Sequence, residues 1–132
     1  MIFVSSVDEA RKVCELYHNA FNDQDIDTIH TVMHFPHIRI NDQGTVRILQ
    51  TVDESTIGHQ RYFQRITDQD DWSYSSQDKV EVLHASDVKV HCKIQFTRYR
   101  TDNSKIATYQ SLWIVVKREG RWGILARSSF AP

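Results

Sequence analysis

Val88, Val90, Cys92, Ile94 and Phe96 alternate without a break with Lys89, His91, Lys93, Gln95 and Thr97. A period of two puts the first set on one face of a β-sheet and the second on the other. The alternation lies inside a longer stretch that reads as four strands: about Trp72 to His84, Val88 to Arg100, Lys105 to Lys117, and Arg121 to Phe130. Their connections at 85–87, 101–104 and 118–120 are short and turn-like, so the strands are expected to be sequential antiparallel neighbours. A sheet of this kind has a dry face that must be covered, and the preceding half of the chain is patterned to cover it.

Val7, Ala10, Cys14, Tyr17 and Phe21, widened by Val13, Leu16 and Ala20, recur at the spacing of a helix buried along one side. Ser5 or Ser6 can cap that helix, and Asp8 and Glu9 suit its positive end. After a break at Asn22 to Gln24, Asp25 can cap a short second helix from Ile26 to about Met33, which Pro36 stops. His37 to Asn41, the turn Asp42-Gln43-Gly44 and Thr45 to Gln50 read as a hairpin. A third helix is expected from about Asp53 to Ile66, with Ile57, Tyr62, Phe63 and Ile66 as its apolar contacts and Thr67 to Asp71 as a polar connection into the sheet. The fold class is therefore α+β, three N-terminal helices packed on a strongly curved, mostly antiparallel sheet of about six strands.

With 132 residues, the chain fits one domain over 1–132. A formal net charge of -1 suggests neither a nucleic-acid nor an anionic-membrane partner. Met1 to Val4 is apolar, but acidic residues follow at once and no long apolar run exists, so neither a signal peptide nor a membrane span is indicated and the default compartment is the cytoplasm. Cys14 and Cys92 fall on the apolar faces of a helix and a strand, where free buried thiols are expected. In the third main strand Leu112, Ile114 and Val116 occupy one face while Trp113 and Val115 occupy the other. A strand apolar on both sides needs two covers, and a homodimer through the sheet's outer face supplies the second.

The segment Tyr17-His18-Asn19-Ala20-Phe21-Asn22-Asp23-Gln24-Asp25-Ile26-Asp27-Thr28-Ile29 and the closing Gly120-Arg121-Trp122-Gly123-Ile124, taken with the order of elements, resemble the nuclear transport factor 2-like superfamily. Its SnoaL-like and ketosteroid-isomerase-like members share a cystatin-like cone. The resemblance implies a mostly apolar cavity, open at one end, in which polar side chains converge. Tyr17 matches the tyrosine that donates a hydrogen bond to the substrate oxygen in ketosteroid isomerase. The position of that enzyme's carboxylate base falls instead on Asn41, with Asp42 adjacent, and that of its second acid falls near Ser111 or Leu112. Asparagine cannot abstract a carbon-bound proton, so steroid isomerase chemistry is not carried over.

His34-Phe35-Pro36-His37-Ile38-Arg39 is the most chemically dense stretch. Period two places His37, Arg39 and Asn41 on one face, where a histidine and an arginine fork can hold a carboxylate or an enolate and move a proton. The opposite parity would turn Ile38 and Ile40 inward. Tyr17 is either a core aromatic or an oxyanion donor. Tyr62 and Phe63 of the third helix, Tyr109, Ser111 and Trp113 of the third main strand, and Arg127 of the last are further candidates for ligand contact. An inward Arg127 would be a buried cation needing a partner, so the preferred reading turns Trp122, Ile124, Ala126 and Phe130 inward and Arg127 outward. His30, His34 and His37 have a loose metal-ligand spacing but neither an HExxH pattern nor an adjacent acid or cysteine, so no metal is expected. Lys117, Arg118 and Arg121 are accounted for as a solvated turn. Phosphate loops and a GxSxG elbow are absent.

The expected function is that of a cofactor-independent cavity protein binding a small apolar or aromatic molecule with an oxygen group. If it catalyses, acid/base isomerisation, cyclisation or dehydration is expected, with His37 or His34 as base and Tyr17 and Arg39 stabilising negative charge. The alternative is a noncatalytic binding or assembly module with a filled interior. An open cavity touching Tyr17 and one of His34, His37 or Arg39 separates the two.

Overall fold

The computed structural model describes residues 5–132; Met1 to Val4, and the reading made of them above, lie outside it. The elements run α1 (Ser6–Asn22), α2 (Ile26–Thr31), β1 (Met33–Ile40), β2 (Val46–Leu49), α3 (Val52–Asp70), β3 (Trp72–Ala85), β4 (Lys89–Arg100), β5 (Lys105–Arg118) and β6 (Arg121–Ser129). One six-stranded sheet results, in the order β2-β1-β6-β5-β4-β3. Every pairing is antiparallel except β1 with β6. The four C-terminal strands are sequential neighbours, as their short turns require.

Each helix begins at a side-chain cap. Ser5 accepts from the Asp8 amide, Asp25 from the Thr28 amide and Thr51 from the Glu54 amide, each satisfying a donor that the first helical turn leaves free. The buried stripe of α1 is Ala10, Val13, Cys14, Tyr17 and Ala20, while Leu16 is half exposed. Opposite it, β4 turns Val90, Cys92 and Ile94 inward, and Cys14 and Cys92 are both free thiols. Ile29, Met33, Ile66, Ile94 and Ile124 are shut away from water; each such side chain contributes about 1.5–3 kcal/mol over its exposed state.

Three boundaries differ from the sequence reading. The second helix stops at Thr31 rather than Met33, because the Val32 carbonyl accepts from the Ile124 amide at 2.8 Å and Met33 already pairs with Ile124. Pro36, expected to end that helix, instead lies within β1 where its register with β6 shifts between Met33 and Ile38, a place that tolerates a missing N–H. The third helix runs on to Asp70, and the segment assigned to a connection is its last, solvated turn, closed by Asp71 in the left-handed conformation with φ 56.

The largest correction concerns β6. Ile114 pairs with Ala126 and Val115 with Ile124, so Leu125 is an extra residue in the strand. That bulge reverses the alternation. Ile124 faces the core before it, and Arg127, paired with Trp113 and with Arg39, faces the same side after it. The outward placement of Arg127 assumed an unbroken strand, and it is wrong.

Candidate functional site

The concave face of the sheet and helices α1 and α3 enclose a cavity of about 110 Å³. Apolar walls come from Phe21, Leu49, Ile94, Phe96 and Trp113. Tyr17 enters from α1, His59 from α3, Arg39 from β1, Arg98 from β4 and Arg127 from β6.

Tyr17 is the meeting point of these elements and is buried. Its hydroxyl lies 3.3 Å from His59 Nε2 and accepts a short hydrogen bond from Arg127 Nη1. The tautomer of His59 follows from its other nitrogen. Nδ1 lies 2.9 Å from the Ser55 carbonyl, which can only accept, so Nδ1 carries the proton and Nε2 accepts from the Tyr17 hydroxyl. His37 obeys the same logic. Its Nδ1 donates to the Ile124 carbonyl at 3.0 Å, and its Nε2 accepts from Arg127 Nε at 3.1 Å. Ser55 Oγ extends the network to the partly buried His30, 2.9 Å away.

Electrostatics agrees with these roles. Burial, then the positive charge of Arg127, pushes the His37 pKa down to about 3. The same two causes bring His59 down to about 4. Both imidazoles are neutral near pH 7, as hydrogen-bond acceptors of a guanidinium and a phenol must be. Burial raises the Tyr17 pKa, against the opposing pull of Arg127 and Arg39, so the hydroxyl keeps its proton.

Four arginines line the cavity: Arg39, Arg47, Arg98 and Arg127. No aspartate or glutamate does so among the described residues. Arg39 lies 5.4 Å from the Tyr62 ring centroid and donates to the Ala131 carbonyl. Arg98 is 3% exposed; its Nη2 donates to the Tyr62 hydroxyl, and its Nε and Nη1 have no hydrogen-bond partner among the described residues. Arg47 reaches the wall because residue 58 is glycine: a Cβ added there would stand 2.9 Å from Arg47 Nη2.

Of the residues singled out from sequence, Tyr17, Arg39, Tyr62, Ser111, Trp113 and Arg127 line the cavity. His37 lies behind that wall, with both ring nitrogens engaged, and acts on Arg127 rather than on the cavity. His34 is elsewhere: Nε2 contacts the Val116 carbonyl at 2.9 Å, and Nδ1 contacts Arg121 Nη2 at 3.2 Å. Arg121 is more than a solvated turn residue, since it also donates to the Thr31 and Met33 carbonyls. Asn41 closes the β1–β2 hairpin by accepting from the Gln43 and Thr45 amides, and it does not line the cavity. Phe63 is a core residue against Phe21 and Trp72, and Tyr109 stands behind Arg98. Thus His30, His34 and His37 diverge, and no group of three metal-ligating side chains converges among the described residues.

Sequence reading missed His59, Arg98 and Arg47 as site residues. The signal for His59 was present: Ser55, His59, Phe63 and Ile66 follow helical spacing and are the buried stripe of α3, together with Gly58. Ile57, chosen for its hydrophobicity, is half exposed. No helix among the described residues is long and apolar enough to cross a membrane.

Comparison with known proteins places this geometry in a wider group. The family description "NTF2-like protein (DUF6841)" matches residues 8–130. A protein of unknown function with a cystatin-like fold from Nostoc punctiforme superposes with a TM-score of 0.75 at 10% identity, covering 99% of this chain and 96% of its own. An NTF-2-like protein of unknown function from Shewanella oneidensis gives 0.72 at 16% identity, over 94% and 98%. A ketosteroid isomerase-like protein from Erwinia carotovora atroseptica gives 0.71 at 16% identity, over 98% and 100%. At such identities the likeness is one of fold. No curated protein matches the sequence.

Proposed function

The chain belongs to the NTF2-like protein family (DUF6841), and from that premise we propose that it binds a small organic molecule in the cavity beneath its sheet and polarises an oxygen of that molecule. The observation that carries this reading is the Tyr17 hydroxyl, buried at the cavity wall between the His59 acceptor and the Arg127 donor. A cavity that touches both Tyr17 and Arg39 supports binding over a plugged interior.

The chemistry such a site favours is the stabilisation of negative charge on oxygen. It offers guanidinium donors in a partly dry setting, where they act strongly on developing charge, beside a phenol whose one proton is held by His59. Its lining holds no carboxylate to act as a base among the described residues, and burial makes the neutral His59 a weaker base than a free imidazole. Isomerisation, cyclisation or dehydration with an oxyanionic transition state fits this donor set, with Arg127 on the oxygen and Tyr17 joining it by turning its one proton from His59 to the substrate. His37 is the positioning residue for Arg127. A thermal-shift and NMR screen of hydroxylated and carbonyl-bearing aromatics and terpenoids tests the reading. Hits should weaken at least tenfold in Tyr17→Phe; equal responses in the two proteins would remove the hydroxyl from the site.

A homodimer through the outer face of the sheet is the second part of the proposal. Cross-strand register lines up Ile48, Ile38, Ala126 and Ile114 in one row, and Val46, Ile40, Ser128 and Leu112 in the next. Val46, Ile48, Ile38 and Leu112 are between 36% and 58% exposed. Two adjacent apolar rows on one sheet form a patch that a second copy of the same face can cover.

A further inference from the structure

We propose that the cavity selects organic anions, specifically a carboxylate on a short aliphatic or single-ring aromatic body, with Arg98 as the residue that receives the charge. The inference rests on the cavity being a binding site, as argued above, and adds the class of molecule it accepts.

Arg98 carries the argument. It is 3% exposed, yet Nε and Nη1 find no partner among the described residues. Those two nitrogens hold three of the five guanidinium hydrogens. Native proteins rarely leave such groups unsatisfied, because a buried donor without an acceptor forfeits its hydration, and a buried cation forfeits more. The immediate surroundings compensate only in part. Rings of Tyr109, Tyr62 and Phe96 stand 5.2, 5.3 and 5.5 Å from the guanidinium carbon. Their faces attract a cation but accept no hydrogen bond from its edge.

Nearby charges make the deficit larger. Arg39, Arg47 and Arg127 share the cavity wall with Arg98. Arg39 is discharged more easily than an ordinary arginine, through burial first and Arg127 next. Like charges gathered around one small hollow, with no carboxylate in its lining, leave a positive field that an entering anion would neutralise. A guanidinium edge matches the planar two-oxygen geometry of a carboxylate.

Size and wall chemistry set the rest of the molecule. The cavity, about 110 Å³, is smaller than the roughly 150 Å³ engineered cavity that accepts benzene, so the enclosed part is limited to a short chain, with a ring held only partly inside. Ile94, Phe96, Leu49 and Trp113 offer that part an apolar surface.

The test titrates the full chain at pH 7 with acetate, butyrate and benzoate, each paired with its neutral amide, by calorimetry and by NMR. The same series is run on Arg98→Met, which keeps the volume and removes the charge. We expect at least one carboxylate to bind at least tenfold more tightly than its amide. In Arg98→Met that preference should shrink several-fold, and the variant should melt no lower than the parent, since it no longer buries an unmatched cation. Equal affinity for acid and amide in the unaltered protein, or an undiminished acid preference in Arg98→Met, would overturn the assignment while leaving the cavity a binding site. Failure of both series to bind would overturn the cavity reading along with it. The acid-to-amide ratio in the unaltered protein decides the matter even if Arg98→Met does not fold.

Discussion

Arg127 Nε donates a hydrogen bond to His37 Nε2 across 3.1 Å, so a partly buried guanidinium leans on an imidazole that must stay neutral. The contact holds Arg127 against Tyr17 and exposes the fold to acid. Protonating His37 would replace the acceptor with a donor and set two cations side by side.

Stability should therefore fall as pH falls, beginning below the ordinary histidine value of about 6.5. The folded-state pKa values of His37 and His59 are depressed to about 3 and about 4. Between those values and 6.5 the unfolded chain binds more protons than the folded one, and the sign of the linkage makes stability rise with pH. Each histidine contributes a slope of up to about 1.4 kcal/mol per pH unit in its window. Urea unfolding at pH 7, 6 and 5 measures it; His59→Gln should flatten the curve, and a flat curve in the parent would remove the buried neutral pair as its cause.

Tyr17→Phe should lose stability although it adds no strain. The change leaves His59 Nε2 and Arg127 Nη1 without their shared partner. A buried polar group so orphaned costs about 1–3 kcal/mol. Denaturant midpoints at constant m-value report the loss, and an unchanged midpoint would mean that solvent replaces the hydroxyl.

For Gly58→Ala two effects oppose each other. Alanine is favoured over glycine inside a helix by about 0.8–1 kcal/mol, but its Cβ would meet Arg47 Nη2 at 2.9 Å. The obstacle is the end of a flexible side chain from the exposed strand β2, which can swing aside for little. We expect thermal stability unchanged or slightly raised, with Arg47 displaced from the cavity wall. A drop in melting temperature of several degrees would show that Arg47 is held more firmly than its exposure suggests.

The outer face makes a prediction about assembly. Ile38→Lys with Leu112→Lys places two charges in the exposed apolar rows without touching the cavity lining. Sedimentation at micromolar concentration should give dimers for the parent and monomers for the double variant. Monomers in both would leave the second cover of the sheet unexplained.

Local patterning carried the sequence analysis far. Helix starts near Ser5 or Ser6 and at Asp25, the hairpin turning through Asp42-Gln43-Gly44, and the inward set Val90, Cys92 and Ile94 were all legible, because capping, turns and alternation are set by residues a few positions apart. His59 was legible too, once polar residues are admitted to a helical stripe. Arg98 was not singled out, although the alternation through Phe96 gives it the parity of the inward set.

What the sequence determined by itself is the kind of fold: short turns between alternating strands leave an antiparallel sheet little choice of neighbours, and the amphipathic first half little choice but to cover it. Which polar groups meet in the hollow was decided by tertiary structure. One extra residue, Leu125, reverses the facing of everything after it, and it shows only in how β6 pairs, with its hairpin partner β5 on one side and with β1, far back along the chain, on the other. Side-chain direction in a strand depends on the count of residues since the last irregularity. Where cross-strand pairing sets that irregularity, the facing of Arg127 cannot be obtained from the alternation of its own strand.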